Sequence, residues 1–359
     1  MSNIVLSFLV FGLSYATTSI FVPEVIKIAN RYDLQDVPDE RKVHTEKIPR
    51  FGGIAMFAGF ILTILVSALS ELRPEIQYFL GGVVIIALIG IRDDLAPLEA
   101  RWKFLGQIAA AIMVVQFSGL TIGSLNGLLG VYELPLYVDY PLTIFFIVGI
   151  TNSINLIDGI NGLAGSVSLV ILSTLGLWFS FAGYGVLTML CFSMVGTIIA
   201  FLRFNYTPAQ IFMGDTGSLM LGFTISAILL FFFRENSAVA AIPSKEILHF
   251  PSAASTVLAV LLYPIFDTYR VFAIRIYAGR SPFSPDKNHI HHVLLRIGLS
   301  HTKATRSIVC YQIIFMLVFA SLSHFGINEN ILLLIMITTL LVSMGLLIRY
   351  HDKKVTEAS

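Results

Sequence analysis

Charge is what this chain has least of. Of its 359 residues only 13% are charged, while 56% are apolar. Soluble chains carry roughly a quarter charged residues, so a water-soluble globular domain is excluded. Cysteine is nearly missing as well. Cys191 and Cys310 both lie inside apolar runs, which argues against a disulfide framework and reads as two small core hydrophobes. No basic residue precedes the first apolar run, which begins at Ile4, and the first charge is Glu24. A cleavable signal peptide needs a basic start and a small-residue cleavage site. The run therefore reads as a retained span with its N-terminus outside. The sequence shows no internal repeat, low-complexity tract or soluble domain, and Asp352–Ser359 reads as a loose tail. The net charge of +1 points to no partner, and nothing suggests a nucleic acid.

What the chain does have is apolar runs of membrane-spanning length. A hydrocarbon core of ~30 Å takes ~20 apolar residues as a helix. Eleven candidate spans are counted, near 4–22, 52–70, 76–91, 104–120, 141–153, 163–182, 185–202, 218–233, 254–272, 308–325 and 331–348. Basic residues in short loops stay cytoplasmic. With the N-terminus outside, only Arg73, Arg234 and Lys245 of the 23 basic residues fall on the outer side. The fold expected is an all-α integral membrane protein, a single polytopic domain over 1–359 with about eleven transmembrane helices and a cytoplasmic C-terminus. Its partner is the lipid bilayer. The cytoplasmic loops 23–51, 92–103, 154–162, 203–217 and 273–307 would form one active-site face. Two spans look short, Tyr78–Ile91 and Leu142–Thr151, and both run into acidic motifs. Short segments at membrane depth survive only when buried in protein or lining a wet cavity. The outer loop 121–140 holds Asn126-Gly127 between apolar stretches, which suits a small hairpin.

Against this background the polar clusters stand out. Asp93-Asp94 closes the third span. Adjacent carboxylates on a helix point about 100° apart, so the two need not share a proton or a metal. A prenyl-synthase-like Asp-Asp-x-x-Asp motif is excluded, because Pro97 stands at its last position. Asn155, Asp158 and Asn161 recur every three residues among Gly159, Gly162 and Gly165, so a helical turn would align them. Amides and a carboxylate can ligate Mg²⁺ or bond a base and a phosphate; a capped polar turn is the plain alternative. Phe212-Met213-Gly214-Asp215-Thr216-Gly217-Ser218 opens the eighth span. The N–H groups of a helix start favour a bound anion, and a simple N-cap is the alternative.

His289, His291 and His292 follow Asp286 in the longest charged loop. Without a nearby cysteine or a fourth ligand at zinc spacing, anion binding fits better than zinc, beside the plainer reading of a basic membrane-surface loop. Arg41 and His44 add a second basic, turn-rich segment. Lys103 starts the fourth span as either a snorkelling anchor or a phosphate contact. Asp267, inside the ninth span, calls for a partner such as Arg270. Together the residues support metal-dependent phosphoryl transfer at the inner leaflet. Carboxylates favour a hard cation, Mg²⁺ or Mn²⁺.

These same motifs carry a resemblance. From Arg41–Gly53 through Asp93-Asp94, Asn155–Ala164, Phe212–Ser218 and Ser281-Pro282-Phe283 to Asp286–His292, the chain resembles the polyprenyl-phosphate N-acetylhexosamine-1-phosphate transferases. The His289-Ile-His291-His292 form is similar to the bacterial branch acting on UDP-N-acetylglucosamine or a close sugar. The resemblance implies a multi-pass enzyme of the bacterial inner (plasma) membrane, its active site facing the cytoplasm. Undecaprenyl phosphate would attack the sugar-side phosphorus of a UDP-sugar and release UMP, initiating cell-envelope glycan synthesis. It implies Asp93, Asp94 and Asp158 as catalytic carboxylates and Asp215, with Asn155, as the Mg²⁺ ligands. Lys103, His289, His291, His292, Arg41 and His44 would bind the substrate phosphates. Phe212 would stack on uracil and Asn161 would bond to it. Many bacterial relatives carry Asp where this chain has Asn161, so a role needing charge there is in doubt. The lipid phosphate, with a second pKa near 6, is largely ionised already, so orienting it and deprotonating it stand level as roles for Asp93 and Asp94. A homodimer is compatible with the resemblance. Two alternatives remain: another donor such as a different UDP-N-acetylhexosamine or UDP-MurNAc-pentapeptide, and, in a different class, a polytopic transporter.

Overall fold

The computed structural model describes residues 3–34, 48–68, 73–240, 242, 248–282 and 288–358. The chain is mostly helical. It divides into two units, one made of residues 1–123 and 135–248, the other of residues 124–134 and 249–359.

The first unit holds eight helices among the described residues: α1 (Asn3–Arg31), α2 (Gly52–Ala68), α3 (Pro74–Leu95), α4 (Ala100–Ser118), α5 (Leu136–Leu156), α6 (Leu163–Ala182), α7 (Gly185–Asn205) and α8 (Gly214–Ala240). α8 is its centre. It is apolar all round, as a helix enclosed by other helices must be, and its most apolar 18 residues are all buried. α2, α3, α5 and α6 pack around it. Two glycines let the backbones close in at its N-terminal end. A Cβ on Gly53 would lie 2.1 Å from the Gly217 nitrogen, and one on Gly90 would lie 2.3 Å from the Thr216 Cα. No larger residue fits either place without moving α8.

The expectation of two short spans is corrected. α3 has 22 residues and α5 has 21, because each helix continues through polar residues whose groups are paired. At one end of α5, Asp139 Oδ1 accepts from Gly123 N at 3.0 Å and from Thr143 Oγ1 at 3.1 Å. α3 starts with Pro74, a residue pre-set for the first helical position, and carries Asp93 and Asp94 in its last turn.

The second unit corrects the all-helical expectation. Strands β1 (Ser124–Leu128) and β2 (Val131–Glu133) form an antiparallel hairpin. Its turn is Leu129-Gly130, both at positive φ; Asn126-Gly127 lies within β1 instead. The single apolar run 254–272 is a broken helix. α9 (Ala253–Val260) and α10 (Leu262–Tyr277) meet at 76°. Pro264 has no N–H to give the preceding turn, and Gln312 occupies the gap. Its Nε2 donates to Ala259 O at 3.1 Å and Val260 O at 2.8 Å, while its Oε1 accepts from Tyr263 N at 3.0 Å. This is how a broken helix is tolerated at membrane depth. Glu329 closes the other end of α9, accepting from Ala254 N and Ser255 N, each at 3.0 Å. α11 (Ile290–Arg296), α12 (His301–His324) and α13 (Glu329–Ala358) complete the unit. Phe315 and Phe319 of α12 stack at 4.2 Å within its apolar core.

Every apolar run of the sequence falls on a helix. Among the described residues eight helices are long and apolar enough to cross a membrane, nine if α9 and α10 form one span. α2 is apolar but has only 17 residues, and α4 carries Arg101 and Lys103 in its first turn. The chain is thus an integral membrane protein built of helices.

Candidate active site

The carboxylates of the first unit meet where α3 ends and α8 begins. Asp93 and Asp94 diverge around α3 and take different partners. Asp94 is 4% exposed and turns toward α8. Its Oδ1 accepts from Asp215 N at 2.8 Å; its Oδ2 accepts from Thr216 N at 3.0 Å and Thr216 Oγ1 at 2.6 Å. The N–H groups that open α8 therefore already hold an anion, and that anion is the protein's own carboxylate. Asp93 closes the turn into α4: its Oδ1 accepts from Leu98 N at 2.6 Å, and its Oδ2 pairs with Lys103 Nζ at 2.6 Å.

Lys103 reaches across to Asp215 Oδ2 at 2.7 Å, so one ammonium joins two carboxylates. Asn155, in the last turn of α5, donates from Nδ2 to Asp215 Oδ1 at 3.2 Å and to Ser218 Oγ at 2.8 Å. Its amide oxygen accepts from no side-chain donor among the described residues. α5 stops at Leu156, so Asp158 lies in the following turn and the expected single helical file of Asn155, Asp158 and Asn161 does not form. Burial raises the Asp158 carboxyl to about 7, well above the usual carboxylate range, and the charges of Asp215 and Asp94 push the same way. Asn161 donates to Thr207 Oγ1 at 3.2 Å. The turn is pinned by buried Asn205, which accepts from Gly162 N at 2.8 Å and donates to Ile211 O at 2.9 Å. Phe212 is fixed through its backbone. Its N donates to Pro49 O at 2.8 Å, and its O accepts from Gly52 N at 2.9 Å.

Four functional residues escaped the sequence reading. Thr216 and Ser218 stand in the quoted motif but had no assigned role. Gln107, set among apolar residues of α4, donates to Asn152 Oδ1 at 3.4 Å and accepts from its Nδ2 at 2.5 Å; a polar side chain inside an apolar run was the available signal. Asn205 gave none, because its partners are backbone atoms, one of them 43 residues away.

The histidines belong to the second unit. Asp267, fully buried, accepts from Arg270 at 3.1 Å, from Ile290 N at 2.8 Å and pairs with His289 Nδ1 at 2.7 Å. The partner expected for Asp267 is present, and the same carboxylate also caps α11. His291 lies between the rings of His289 and His292, at 5.5 and 4.3 Å. Burial pushes its imidazole down to about 3, despite the opposing pull of Asp267, so it is neutral. Arg41 and His44 lie outside the described residues, as do Phe283, Asp286 and Lys287. Among the described residues no three His, Cys, Asp or Glu side chains are grouped to hold a metal by themselves.

Comparison with known proteins bears on the same residues. Residues 76–233 match the sequence profile of Glycosyl transferase family 4, a stretch containing Asp93, Asp94, Lys103, Asn155, Asp158, Asn161, Phe212 and Asp215. A Bacillus subtilis (strain 168) protein named "Probable undecaprenyl-phosphate N-acetylglucosaminyl 1-phosphate transferase" is 38% identical over 317 residues, covering 88% of this chain and 84% of that protein. An undecaprenyl-phosphate alpha-N-acetylglucosaminyl 1-phosphate transferase of Escherichia coli (strain K12) is 31% identical over 292 residues, covering 80% and 76%. Its namesake from Yersinia pestis is 30% identical over 301 residues, covering 82% and 78%.

Proposed function

The chain belongs to glycosyl transferase family 4, and on that premise we propose that it transfers N-acetylglucosamine 1-phosphate from UDP-N-acetylglucosamine to undecaprenyl phosphate, releasing UMP. The observation that carries this reading is the cluster at the head of α8, where Lys103 joins Asp93 to Asp215 and Asp94 clamps the helix start. Family membership also sets the transporter alternative aside. In the reaction an oxygen of the lipid phosphate attacks the sugar-bearing phosphorus. The bond from that phosphorus to the bridging oxygen breaks, and the electron pair leaves on UMP.

Catalysis of this kind is mostly positioning and charge neutralisation. The donors here suit a hard divalent cation, being carboxylate and amide oxygens, and the Lys103 ammonium shows where positive charge is stabilised between two of them. Asp215, with the Asn155 amide oxygen, would hold Mg²⁺, or Mn²⁺ in its place. With only one or two protein ligands, substrate phosphates would fill the remaining positions. When bound, the cation neutralises the pyrophosphate oxygens and the leaving UMP. Lys103, which pairs with Asp93 and Asp215, would give its charge to the substrate phosphates. Asp93, tethered to Lys103, orients the lipid phosphate. Asp94 acts through α8 and fixes Asp215. Asp158, held up near 7 by burial, would take the proton of a lipid phosphate that is still monoanionic when it attacks. By the resemblance alone, His289 ahead of α11 and His291 and His292 on it, with Arg41 and His44, would bind substrate phosphates, and Phe212 and Asn161 would receive uracil.

We place the enzyme in the plasma membrane with eleven spans, the N-terminus outside and this cluster facing the cytoplasm. Support comes from the helices covering all eleven apolar runs and from the 20 basic residues gathered on one side. A panel of UDP-sugars tests the donor. Purified protein with undecaprenyl phosphate and Mg²⁺ is expected to release UMP fastest from UDP-N-acetylglucosamine, with the lipid product identified by mass. Faster release from UDP-MurNAc-pentapeptide or another UDP-N-acetylhexosamine would reassign the donor.

A further inference from the structure

Two helices each bring one donor to the same carboxylate. Lys103, in the first turn of α4, bonds to Asp215 Oδ2 at 2.7 Å, and Asn155, in the last turn of α5, bonds to Asp215 Oδ1 at 3.2 Å. Asp215 belongs to a third helix, α8. α5 packs on α8, and α4 packs on α3 and α5. The reach of Lys103 therefore depends on how α4 stands against its neighbours.

One turn deeper, α4 and α5 are joined again. Gln107 follows Lys103 by four residues, about 6 Å along α4, and Asn152 precedes Asn155 by three, about 4.5 Å along α5. At those spacings each lies on the face of its helix that bears the site residue. Gln107 is 1% exposed, and both ends of its amide bond to Asn152. Its Nε2 donates to Oδ1 at 3.4 Å, and its Oε1 accepts from Nδ2 at 2.5 Å. Asn152 Nδ2 also donates to Val148 O at 2.7 Å, which fixes that amide to its own helix. The other buried positions of both helices are largely apolar, with Ala110, Ala111 and Val114 on α4 and Ile147, Ile150 and Ile154 on α5. Apolar contacts survive a small slide of one helix along another. A buried amide pair does not, because a slip leaves both amides unpaired. A polar pair in an apolar helix interface thus selects one register.

We propose that Gln107 and Asn152 are a positioning pair for the reaction. They set the register of α4 against α5 so that Lys103 and Asn155 reach the two oxygens of Asp215 together. The pair acts through those two residues and not on substrate. This rests on the reading that Lys103 and Asp215 serve the substrate phosphates, and it deepens that reading by naming what holds them in place.

Lysine acylation of the full-length protein in detergent, read by peptide mass spectrometry, tests the pair without turnover. An ammonium clasped between two carboxylates is shielded from the reagent, whereas exposed Lys27 serves as the internal reference. Gln107→Leu combined with Asn152→Leu removes both amides. Replacing both partners of a buried hydrogen bond by apolar groups of similar size is nearly neutral for stability, so this variant is expected to melt at or above the parent temperature. Its Lys103 should nevertheless acylate about fivefold faster relative to Lys27, the scale of one neutral hydrogen bond. Its UMP release should fall about tenfold or more. Gln116→Leu makes the same polar-to-apolar change at an exposed position of α4 and should leave both readouts at parent values. Gln107→Met replaces the double variant if that variant does not fold. Parent-like acylation of Lys103 in the folded double variant would overturn the positioning role. So would loss of release in Asn152→Leu beside a fully active Gln107→Leu, which would make Asn152 a group that touches substrate. If the parent releases no UMP from any UDP-sugar, the proposed reaction fails, and the acylation ratio still decides whether the pair holds Lys103.

Discussion

Replacing Asp94 by Asn keeps the side chain's shape and removes its charge. In the structure this carboxylate accepts from Asp215 N at 2.8 Å, Thr216 N at 3.0 Å and Thr216 Oγ1 at 2.6 Å. An amide has one acceptor oxygen. At least one N–H at the start of α8 then loses its partner and faces an NH₂ group. A hydrogen bond to a charged group contributes about 1.5–3 kcal/mol, so losing one and weakening another costs about 2–4 kcal/mol, offset in part because the substitution also removes a buried charge. The damage falls on the first turn of α8, which carries Asp215. A shift of ~1 Å in a catalytic group lowers turnover ~10²-fold. Melting in detergent and UMP release are measured together on Asp94→Asn and on Thr216→Ala, which removes one donor. Asp94→Asn is expected to melt lower and turn over about a hundredfold more slowly. Thr216→Ala should shift both readouts in the same direction by less. Loss of activity at an unchanged melting temperature, with Thr216→Ala fully active, would refute the positioning role and make Asp94 a group that acts on substrate directly.

Gln312→Leu removes all three bonds that bridge the break between α9 and α10. With orphaned buried groups costing about 1–3 kcal/mol each and not fully additive, a loss of about 3 kcal/mol is expected in a denaturant titration; an unchanged midpoint would mean the break is held by other contacts. Asp158 gives a pH signature in metal-free buffer. Its folded pKa of about 7 exceeds the unfolded value, so the folded state binds the extra proton and stability falls as pH rises toward and through 7. Asp158→Asn should flatten that dependence and melt above the parent at pH 8; a parallel pH curve for the two would mean that Asp158 titrates normally.

Much of the fold was legible because membrane helices are written in one dimension. A long apolar run has to satisfy its backbone internally, so the helices could be placed from hydropathy alone. Their ends could not, because α3 and α5 extend through polar residues whose partners come from elsewhere, Asp139 with Gly123 and Asp94 with α8. The break at Leu261 was hidden for the same reason: Pro264 marks it, but only Gln312, about fifty residues on, makes it tolerable. The clustering of Asp93, Asp94, Asn155 and Asp215 was legible from charge scarcity, since acids beside apolar runs need a reason to be there. Which carboxylate bonds which donor was not. Asp94 as the clamp of α8 and Lys103 as the joint between Asp93 and Asp215 depend on three helices meeting. The hairpin turn was misplaced because Asn126-Gly127 carries the stronger turn signal, while Leu129-Gly130 closes the loop and Leu129 N bonds to Asn330 at 2.7 Å.

The most direct test of the proposed reaction is UMP release by the full-length protein in detergent, with UDP-N-acetylglucosamine held constant while undecaprenyl phosphate and Mg²⁺ are each omitted in turn. Release is expected only when both are present, and Asp215→Ala is expected to abolish it. Release without the lipid phosphate, or an Asp215→Ala variant that keeps parent turnover and metal response, would contradict it.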